Sequence, residues 1–278
     1  MMEFFMSNRR VNLPYFDEIL AELEDQNEDM ETVFGKHIHW GYWEDPKKAE
    51  GTYEDFRKAT ELLCEKVWSL GKVKENDFVL DVGCGFGGTL SSLNEAFSSL
   101  KMFGLNIDQR QINRAKKIVK AQGENEIDFV QGSASKLPFN DNYFDVVLAV
   151  ECIFHFPDRD DFFREVRRVL KPGGYFAISD FVISFQLPGS MSPFFKGPGI
   201  PFYGNIQLCR FQKYKDLARK FNFEILEVEE ITDNVLPTYP IVKNIFSKNK
   251  VGHFLTLVAQ ISQLTKIIRY KNISFQKK

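Results

Sequence analysis

A carboxylate stands at the start of a glycine-rich turn near the middle of the chain. Asp81 ends an apolar run, and Gly83, Gly85 and Gly88 follow it at short intervals. Glycine lets the backbone approach a ligand closely where a strand turns into a helix. The turn therefore predicts a small-molecule site, and Asp81 gives that site negative charge.

The charge of Asp81 discriminates between two kinds of cofactor. The spacing Gly83-x-Gly85-x-x-Gly88 also occurs in sites for nicotinamide and flavin dinucleotides. A dinucleotide places its pyrophosphate at such a turn, where a carboxylate would repel it. S-adenosylmethionine carries an ammonium and a sulfonium group instead, which a carboxylate attracts. Asn106, near the end of the second predicted strand, replaces the acid usual in dinucleotide sites and can still bond ribose hydroxyls.

Three ionisable residues lie at, or shortly after, the carboxyl ends of predicted strands, and so at the same edge of the sheet. S-adenosylmethionine donates a methyl group, and if the acceptor is a hydroxyl, a base has to remove its proton. Histidine, with an ordinary pKa of about 6.5, suits this role. We therefore expect His155 to be the base and Asp180 to orient it or balance its charge. Glu151 is expected to frame the cofactor pocket and is the second candidate for the base. The alternative for His155 is a loop histidine packed beneath Phe154 and Phe156.

His37 and His39 are spaced like a pair of metal ligands. Two histidines without a third ligand nearby rarely form a site, and the four cysteines are scattered without a Cys-x-x-Cys motif. We therefore expect no metal, no zinc cluster and no disulfide framework, with the histidines in an aromatic loop over the cofactor. Free cysteines favour a reducing, cytoplasmic location.

The residues above lie in an alternation of strands and helices. Strands are predicted at 78–82, 102–107, 127–131, 144–150, 175–182, 223–231 and 270–275, and helices at 89–100, 109–122, 158–170, 213–221 and 251–268. Strands separated by helices require crossover connections and hence a mostly parallel sheet. The pattern predicts an α/β fold with a mostly parallel seven-stranded sheet and helices on both faces.

Three segments lie outside this alternation. Residues 1–60 are predicted to form a helical N-terminal cap with an aromatic loop at 37–43, and residues 61–278 the main domain. Segment 183–210 is rich in proline, glycine and phenylalanine, which is typical of a lid. The apolar stripe at 251–268 is expected to pack on the core or form a dimer face rather than contact a membrane. Four residues of the lid are predicted to contact the acceptor: Phe194, Phe195, Phe202 and Tyr203.

The composition excludes several classes of function. Of the 278 residues 44% are apolar and 27% are charged, with a net charge of −2, so no dense basic surface is available for nucleic acid. No apolar run approaches the ~20 residues of a membrane span, and the first residues do not resemble a secretory signal. We expect a small-molecule acceptor, no nucleic-acid partner, no transmembrane segment, and a monomer or homodimer.

Residues 37–182 resemble the class I S-adenosylmethionine-dependent small-molecule methyltransferases. The motifs follow in order as VLDVGCGFGGT, GLNIDQRQINRA, GSASKLPF, FDVVLAVECIFHFPD and REVRRVLKPGGYFAISDF. The upstream HIHWGYWED segment resembles the branch that holds sarcosine/dimethylglycine, tocopherol and sugar O-methyltransferases. The resemblance implies a Rossmann-like class I methyltransferase fold, with S-adenosyl-L-methionine as cofactor and S-adenosyl-L-homocysteine as product.

The same resemblance assigns residues to parts of the cofactor. Asp81, Gly83 and Gly85 would contact the methionyl part, and Asn106 and Gln111 the ribose hydroxyls. Family members often carry an acid where this chain has Ser133, so affinity would rest more on backbone contacts. The remaining assignments are Ile107, Ser133 and Ala134 at the adenine, Glu151 at the pocket wall, and Tyr42 and Trp43 over the methionine end.

These observations predict methyl transfer to a hydroxyl, or to a nitrogen, of a small apolar or aromatic metabolite in natural-product biosynthesis. Two alternatives stay open: C-methylation of a prenylated or terpenoid substrate, and a non-catalytic protein that binds S-adenosylmethionine. An NAD-dependent dehydrogenase is least favoured because of Asp81.

Overall fold

The computed structural model describes residues 13–185, 202–204 and 206–278. Its centre is a sheet in which the strand order is β3-β2-β1-β4-β5-β8-β7, with β6 paired to β5. The pairs are parallel except for β8, which is antiparallel to both β5 and β7. The strands are β1 (Phe78–Val82), β2 (Lys101–Asn106), β3 (Glu126–Gln131), β4 (Phe144–Val150), β5 (Leu170–Ile183), β6 (Cys209–Arg210), β7 (Phe223–Glu230) and β8 (Ile268–Lys277).

The predicted α/β fold with a mostly parallel sheet is confirmed. Seven strands form the continuous sheet, and the two-residue β6 is an addition that the sequence did not indicate. β5 begins at Leu170, five residues earlier than predicted. Its pairing with β4 is irregular there, because Leu170 lies opposite Phe144 whereas Tyr175 lies opposite Val146. Residues 171–174 therefore bulge within the strand.

Nine helices surround the sheet in the described part of the chain. Side chains of α3, α4 and α5 pack on one face of the sheet, and those of α6 and α7 pack on the other. Side-chain caps start several of them, among them Thr52 before α3, Asp108 before α5 and Asp158 before α6. The helices are α1 (Pro14–Glu24), α2 (Glu28–Phe34), α3 (Tyr53–Leu70), α4 (Gly88–Ala96), α5 (Gln109–Ile118), α6 (Arg159–Val169), α7 (Phe211–Lys220), α8 (Thr238–Ile245) and α9 (Lys250–Leu264).

The N-terminal helices join the sheet through α3. Ile19 of α1, Phe34 of α2 and Phe56 of α3 share a third apolar core with Phe246, which follows α8. Because α3 is continuous from Tyr53 to Leu70, the boundary predicted at residue 60 falls inside one helix.

The apolar stripe of α9 is turned towards solvent. Val251, Phe254, Ile261 and Leu264 are 50%, 61%, 51% and 57% exposed. These residues therefore do not pack on the core, and the other part of the expectation, a dimer face, stays a prediction. Of the helices in the described ranges, each is too short or too polar to cross a membrane.

Candidate active site

A cavity of about 990 Å³ opens between the carboxyl ends of β1 and β4, where the strand order reverses and open α/β sheets bind ligands. After β1 the backbone turns through Gly83, Gly85 and Gly87, whose φ angles are +82°, +55° and +83°. This region of φ strongly favours glycine. A Cβ on Gly83 would also lie 2.7 Å from the side chain of Cys152. The turn therefore needs glycine for its conformation and for its close approach to the chain that follows β4.

Asp81 brings a buried, incompletely bonded carboxylate to this cavity. The residue is 1% exposed, and its Oδ2 has no hydrogen-bond partner among the described residues. Burial raises the pKa of Asp81 to about 7, although a hydrogen bond with Thr89 opposes that rise. A buried carboxylate oxygen without a partner is unfavourable. An ammonium group in the cavity removes this penalty, so the site fits the methionyl end of S-adenosylmethionine.

The far side of the cavity carries a pair of neutral amides. Asn106 Nδ2 donates to Gln111 Oε1 at 2.9 Å, and Asn106 Oδ1 accepts from the N–H of Asp108 at 2.9 Å. Both side chains of the pair are buried, so these bonds hold them in place before a ligand arrives. Nine of the residues that the sequence predicted at the cofactor line the cavity: Asp81, Gly83, Gly85, Asn106, Ile107, Gln111, Ser133, Ala134 and Glu151.

The structure contradicts the predicted positions of Tyr42 and Trp43. Neither residue is among the described residues that line the cavity. The indole N–H of Trp43 donates to Asp55 at 2.9 Å, and its ring packs against Phe56. The backbone N–H of Tyr42 donates to the carbonyl of Ala59 at 2.8 Å. The Tyr42 ring lies beside Lys66 of α3. Contacts with α3 therefore hold both side chains outside the wall of the cavity, contrary to the expectation that they close over the methionine end.

Earlier residues of the same loop line the two cavities of this region. His37, Ile38 and His39 line the large cavity, and Trp40 lines a second, smaller one. The predicted aromatic loop therefore does reach the site, but through a part of it shifted towards the N-terminus.

The second cavity, of about 120 Å³, adjoins the first. Tyr15, Ile38, Glu151 and His155 line both cavities and so mark their junction. The wall of the second cavity is otherwise almost wholly apolar and includes Trp40, Phe154, Phe181, Tyr203, Tyr239 and Phe246.

The four predicted acceptor-binding residues have different outcomes. Tyr203 lines the second cavity. Phe202 is 3% exposed and packs against Phe246 and Gly252 in the core. Of Phe202 and Tyr203, therefore, Tyr203 alone lies in the wall of the second cavity. Phe194 and Phe195 lie outside the described residues.

Glu151 occupies the junction in a strained backbone conformation. Its φ is +48°, which is uncommon for a residue other than glycine and is concentrated at functional sites. Its carboxylate accepts hydrogen bonds from the Tyr270 hydroxyl at 2.5 Å and from the Trp40 N–H at 3.0 Å. Burial raises the pKa of Glu151 to about 8. Nearby, His155 Nε2 lies 3.2 Å from the Tyr15 hydroxyl.

The carboxylate of Asp180 has other partners than the one predicted. Asp180 is completely buried, and its Oδ2 accepts hydrogen bonds from Arg159 at 3.2 Å and from the Tyr214 hydroxyl. Burial raises the pKa of Asp180, and the charge of Arg159 opposes this. Asp180 is not among the residues that line either described cavity. The predicted pairing with His155 is thus replaced by a buried ion pair with the first residue of α6.

Sequence reasoning missed Tyr15 and Tyr270, which come from near the two ends of the chain. No local motif marks either residue, because each reaches the junction only through the packing of α1 and β8.

Comparisons with known proteins agree with this geometry. The family model described as "Methyltransferase domain" matches residues 80–178. "Methyltransferase GfsG" of Streptomyces halstedii is 31% identical over 233 residues, which cover 82% of this chain and 80% of that protein. "O-methyltransferase cnsE" of Penicillium expansum is 26% identical over 93% of this chain and 92% of its own length.

A solved structure shows the same fold. The crystal structure of a mycolic acid cyclopropane synthase complexed with S-adenosylhomocysteine superimposes with a TM-score of 0.76, at 15% identity, over 95% of this chain and 99% of that one. A sheet that holds a buried carboxylate at its glycine turn, and relatives of this kind along most of the chain, lead to one conclusion. The chain belongs to the class I small-molecule methyltransferases, enzymes whose methyl donor is S-adenosylmethionine.

Proposed function

We propose that this enzyme methylates a hydroxyl group of a small, largely apolar acceptor bound in the second cavity. The junction of the two cavities carries the proposal, since Glu151 and His155 line both of them. An acceptor in the apolar cavity would thereby face a cofactor in the larger one, with two ionisable side chains beside the reacting atoms.

The lining of the second cavity supports an aromatic or terpenoid-like acceptor. Aromatic rings such as Trp40, Phe181 and Tyr239 bind apolar molecules through buried area and ring contacts. The relative from Penicillium expansum is named an O-methyltransferase, which favours oxygen as the target atom. The aromatic lining of the second cavity and the likeness to this O-methyltransferase also support a place for the reaction in natural-product biosynthesis.

The residues of the large cavity would hold and orient the cofactor. When bound, S-adenosylmethionine supplies an electrophilic methyl group. Asp81 would pair with the ammonium group, and Asn106 with Gln111 would bond the ribose hydroxyls. The adenine would lie against three residues that line the same cavity: Ile107, Ser133 and Ala134. The apolar wall of the second cavity would exclude water from the reacting atoms.

His155 would take the proton of the acceptor hydroxyl. A base has to reach the acceptor and be able to change its charge near neutral pH, and His155 lines the cavity proposed for the acceptor. The contact of 3.2 Å with the Tyr15 hydroxyl orients the ring. Glu151 would contribute a negative charge next to the sulfonium, which favours binding of the cationic cofactor over its neutral product.

Acceptors that share one carbon skeleton test this proposal. The purified enzyme is given S-adenosylmethionine and two series of acceptors, one aromatic and one terpenoid. Within each series the compounds share a skeleton and differ in carrying a hydroxyl, an amine or an alkene. Products are identified by mass spectrometry and NMR. Transfer to the hydroxyl compounds supports the proposal. Transfer only to carbon, or only to nitrogen, would overturn the choice of oxygen.

We further propose that the enzyme works in the cytoplasm as a monomer or homodimer without a nucleic-acid partner. All four cysteines are unpaired, which suits a reducing compartment, and the net charge of −2 does not favour phosphate backbones. Light scattering behind a sizing column measures the oligomeric state, and a trimer or larger species would contradict it.

A further inference from the structure

We propose that His37, His39 and Cys64 form a binding site for a zinc-like divalent cation beside the cofactor cavity. The histidines belong to the loop before α3 and the cysteine to α3 itself, and all three residues are buried. Within this cluster, His39 Nε2 lies 3.2 Å from His37 Nδ1 and 3.2 Å from Cys64 Sγ. The third side of the triangle, from Cys64 Sγ to His37 Nδ1, is 3.5 Å.

These separations match the edges of a zinc coordination polyhedron. Zinc binds histidine nitrogen at about 2.0–2.1 Å and cysteine sulfur at about 2.3 Å in tetrahedral geometry, which puts neighbouring ligand atoms roughly 3.3–3.6 Å apart. The three ligand atoms need to move by only a few tenths of an ångström. Two nitrogens and one sulfur are also a donor set that zinc and similar borderline-soft ions prefer.

The outer contacts of the two imidazole rings support a metal. His37 Nε2 lies 2.8 Å from Glu61 Oε1, and His39 Nδ1 lies 2.9 Å from the carbonyl oxygen of Trp40. Metal-bound histidines usually donate their second N–H to a carboxylate or a backbone carbonyl in this way. His39 thus has its proton on Nδ1 and turns Nε2 towards the cluster. The contact of His37 Nε2 with Glu61 lacks hydrogen-bond geometry but leaves His37 Nδ1 turned towards the cluster in the same way.

The inner nitrogens need a partner that the chain does not fully provide. His39 Nδ1 donates its proton to the Trp40 carbonyl, so its Nε2 faces the cluster as an acceptor. His37 Nδ1 faces this nitrogen at 3.2 Å, and the thiol of Cys64 has a single proton to share between the two. A cation satisfies both nitrogens and replaces that proton, which is released to the buffer.

The cluster also borders the proposed cofactor site. His37 and His39 line the large cavity, and three protein ligands leave a fourth position for a water or for a group that enters from the cavity. A Cβ on Gly88 would lie 2.2 Å from His37 Nδ1, so glycine at the start of α4 leaves space for this ring. The bound ion would tie the loop of residues 37–43 to α3.

Cobalt spectroscopy on the full chain tests the site. The purified protein is stripped with a chelator and titrated with Co²⁺, and we expect one equivalent to bind with the charge-transfer absorption of a cobalt–thiolate bond. Zinc should displace the cobalt. Cys64→Ser should abolish the thiolate band, whereas the matched control Cys209→Ser should retain it, because Cys209 lies at β6, outside the cluster.

A milder variant keeps the test informative if Cys64→Ser fails to fold. Glu61 is partly exposed and touches the cluster only through His37, so Glu61→Gln should fold and weaken cobalt binding by roughly 10- to 100-fold. A wild-type protein that shows no thiolate band, or unchanged cobalt affinity in Glu61→Gln, would overturn the site and favour a direct hydrogen bond between His37 and His39 in its place. Neither result depends on methyl transfer, so the proposed function is judged separately.

Discussion

The hydroxyl group of Tyr270 donates a hydrogen bond to the carboxylate of Glu151 across 2.5 Å, although 119 positions separate the two residues in the chain. Tyr270 lies on β8 and Glu151 directly after β4. The bond therefore connects the last strand of the sheet to the junction of the two cavities. It stabilises the charged form of a carboxyl group whose burial favours the neutral form.

The charge of Glu151 should appear in the pH dependence of catalysis. Its carboxyl group loses a proton as the pH rises through about 8 in the free enzyme, so kcat/KM should rise over the same range if the carboxylate is the active form. Glu151→Gln should lower kcat/KM and remove this limb of the profile. Tyr270→Phe removes a donor to the carboxylate and should shift the limb to higher pH. An identical profile in Glu151→Gln would show that the limb belongs to another group.

The affinity for the product should depend on the ionisation of Asp81. Because burial raises the pKa of Asp81 to about 7, the carboxylate that attracts an ammonium group forms as the pH rises through that value. Affinity for S-adenosylhomocysteine should increase over this range, as measured by calorimetry. Asp81→Asn should weaken binding by roughly 10- to 100-fold at high pH, the effect of losing a charged hydrogen bond of about 1.5–3 kcal/mol, and should flatten the pH dependence. Asp128→Asn, at an exposed position of β3, is the matched control and should change neither.

Replacement of His155 should affect turnover and leave cofactor binding intact. If His155 is the base, His155→Ala should reduce kcat by ~10²-fold or more, with little change in affinity for S-adenosylhomocysteine. Tyr15→Phe, which removes the hydroxyl 3.2 Å from the ring, should have a smaller effect. Normal turnover in His155→Ala would assign proton transfer to another group or show that none is needed.

Asp180 should be important for stability. Asp180→Ala leaves Arg159 buried at 6% exposure without its carboxylate, and loss of one member of a buried pair destabilises a protein by roughly 3–5 kcal/mol. Denaturant unfolding measures this effect, with exposed Asp45→Ala as the control. A variant that folds with wild-type stability and yet loses turnover would restore the catalytic role first expected for Asp180.

Filling the second cavity should compete with the acceptor. Ala259 of α9 lines this cavity, so Ala259→Phe should raise KM for the acceptor or abolish turnover while the affinity for S-adenosylhomocysteine stays constant. Val258→Phe makes the same kind of change one residue away at a position that is 40% exposed, and it should behave like the wild type. Equal acceptor kinetics in both variants would argue that the acceptor binds elsewhere.

The local sequence determined the sheet and the glycine turn at Asp81, Gly83 and Gly85. Strand and helix periodicity is carried by neighbouring residues, and the positive φ angles of the turn depend on the absence of a Cβ at those positions. The charge of Asp81 is equally local, and so the cofactor class could be predicted before any fold was known.

Only the tertiary structure decided which distant side chains meet. α3 turned Trp43 towards Asp55 and brought Cys64 to His37 and His39 as the third ligand that the sequence did not provide. The start of α6 brought Arg159 to Asp180, where the sequence suggested His155. Such contacts join residues on separately packed elements. Their partners depend on how whole helices lie against the sheet, which spacing along the chain does not encode.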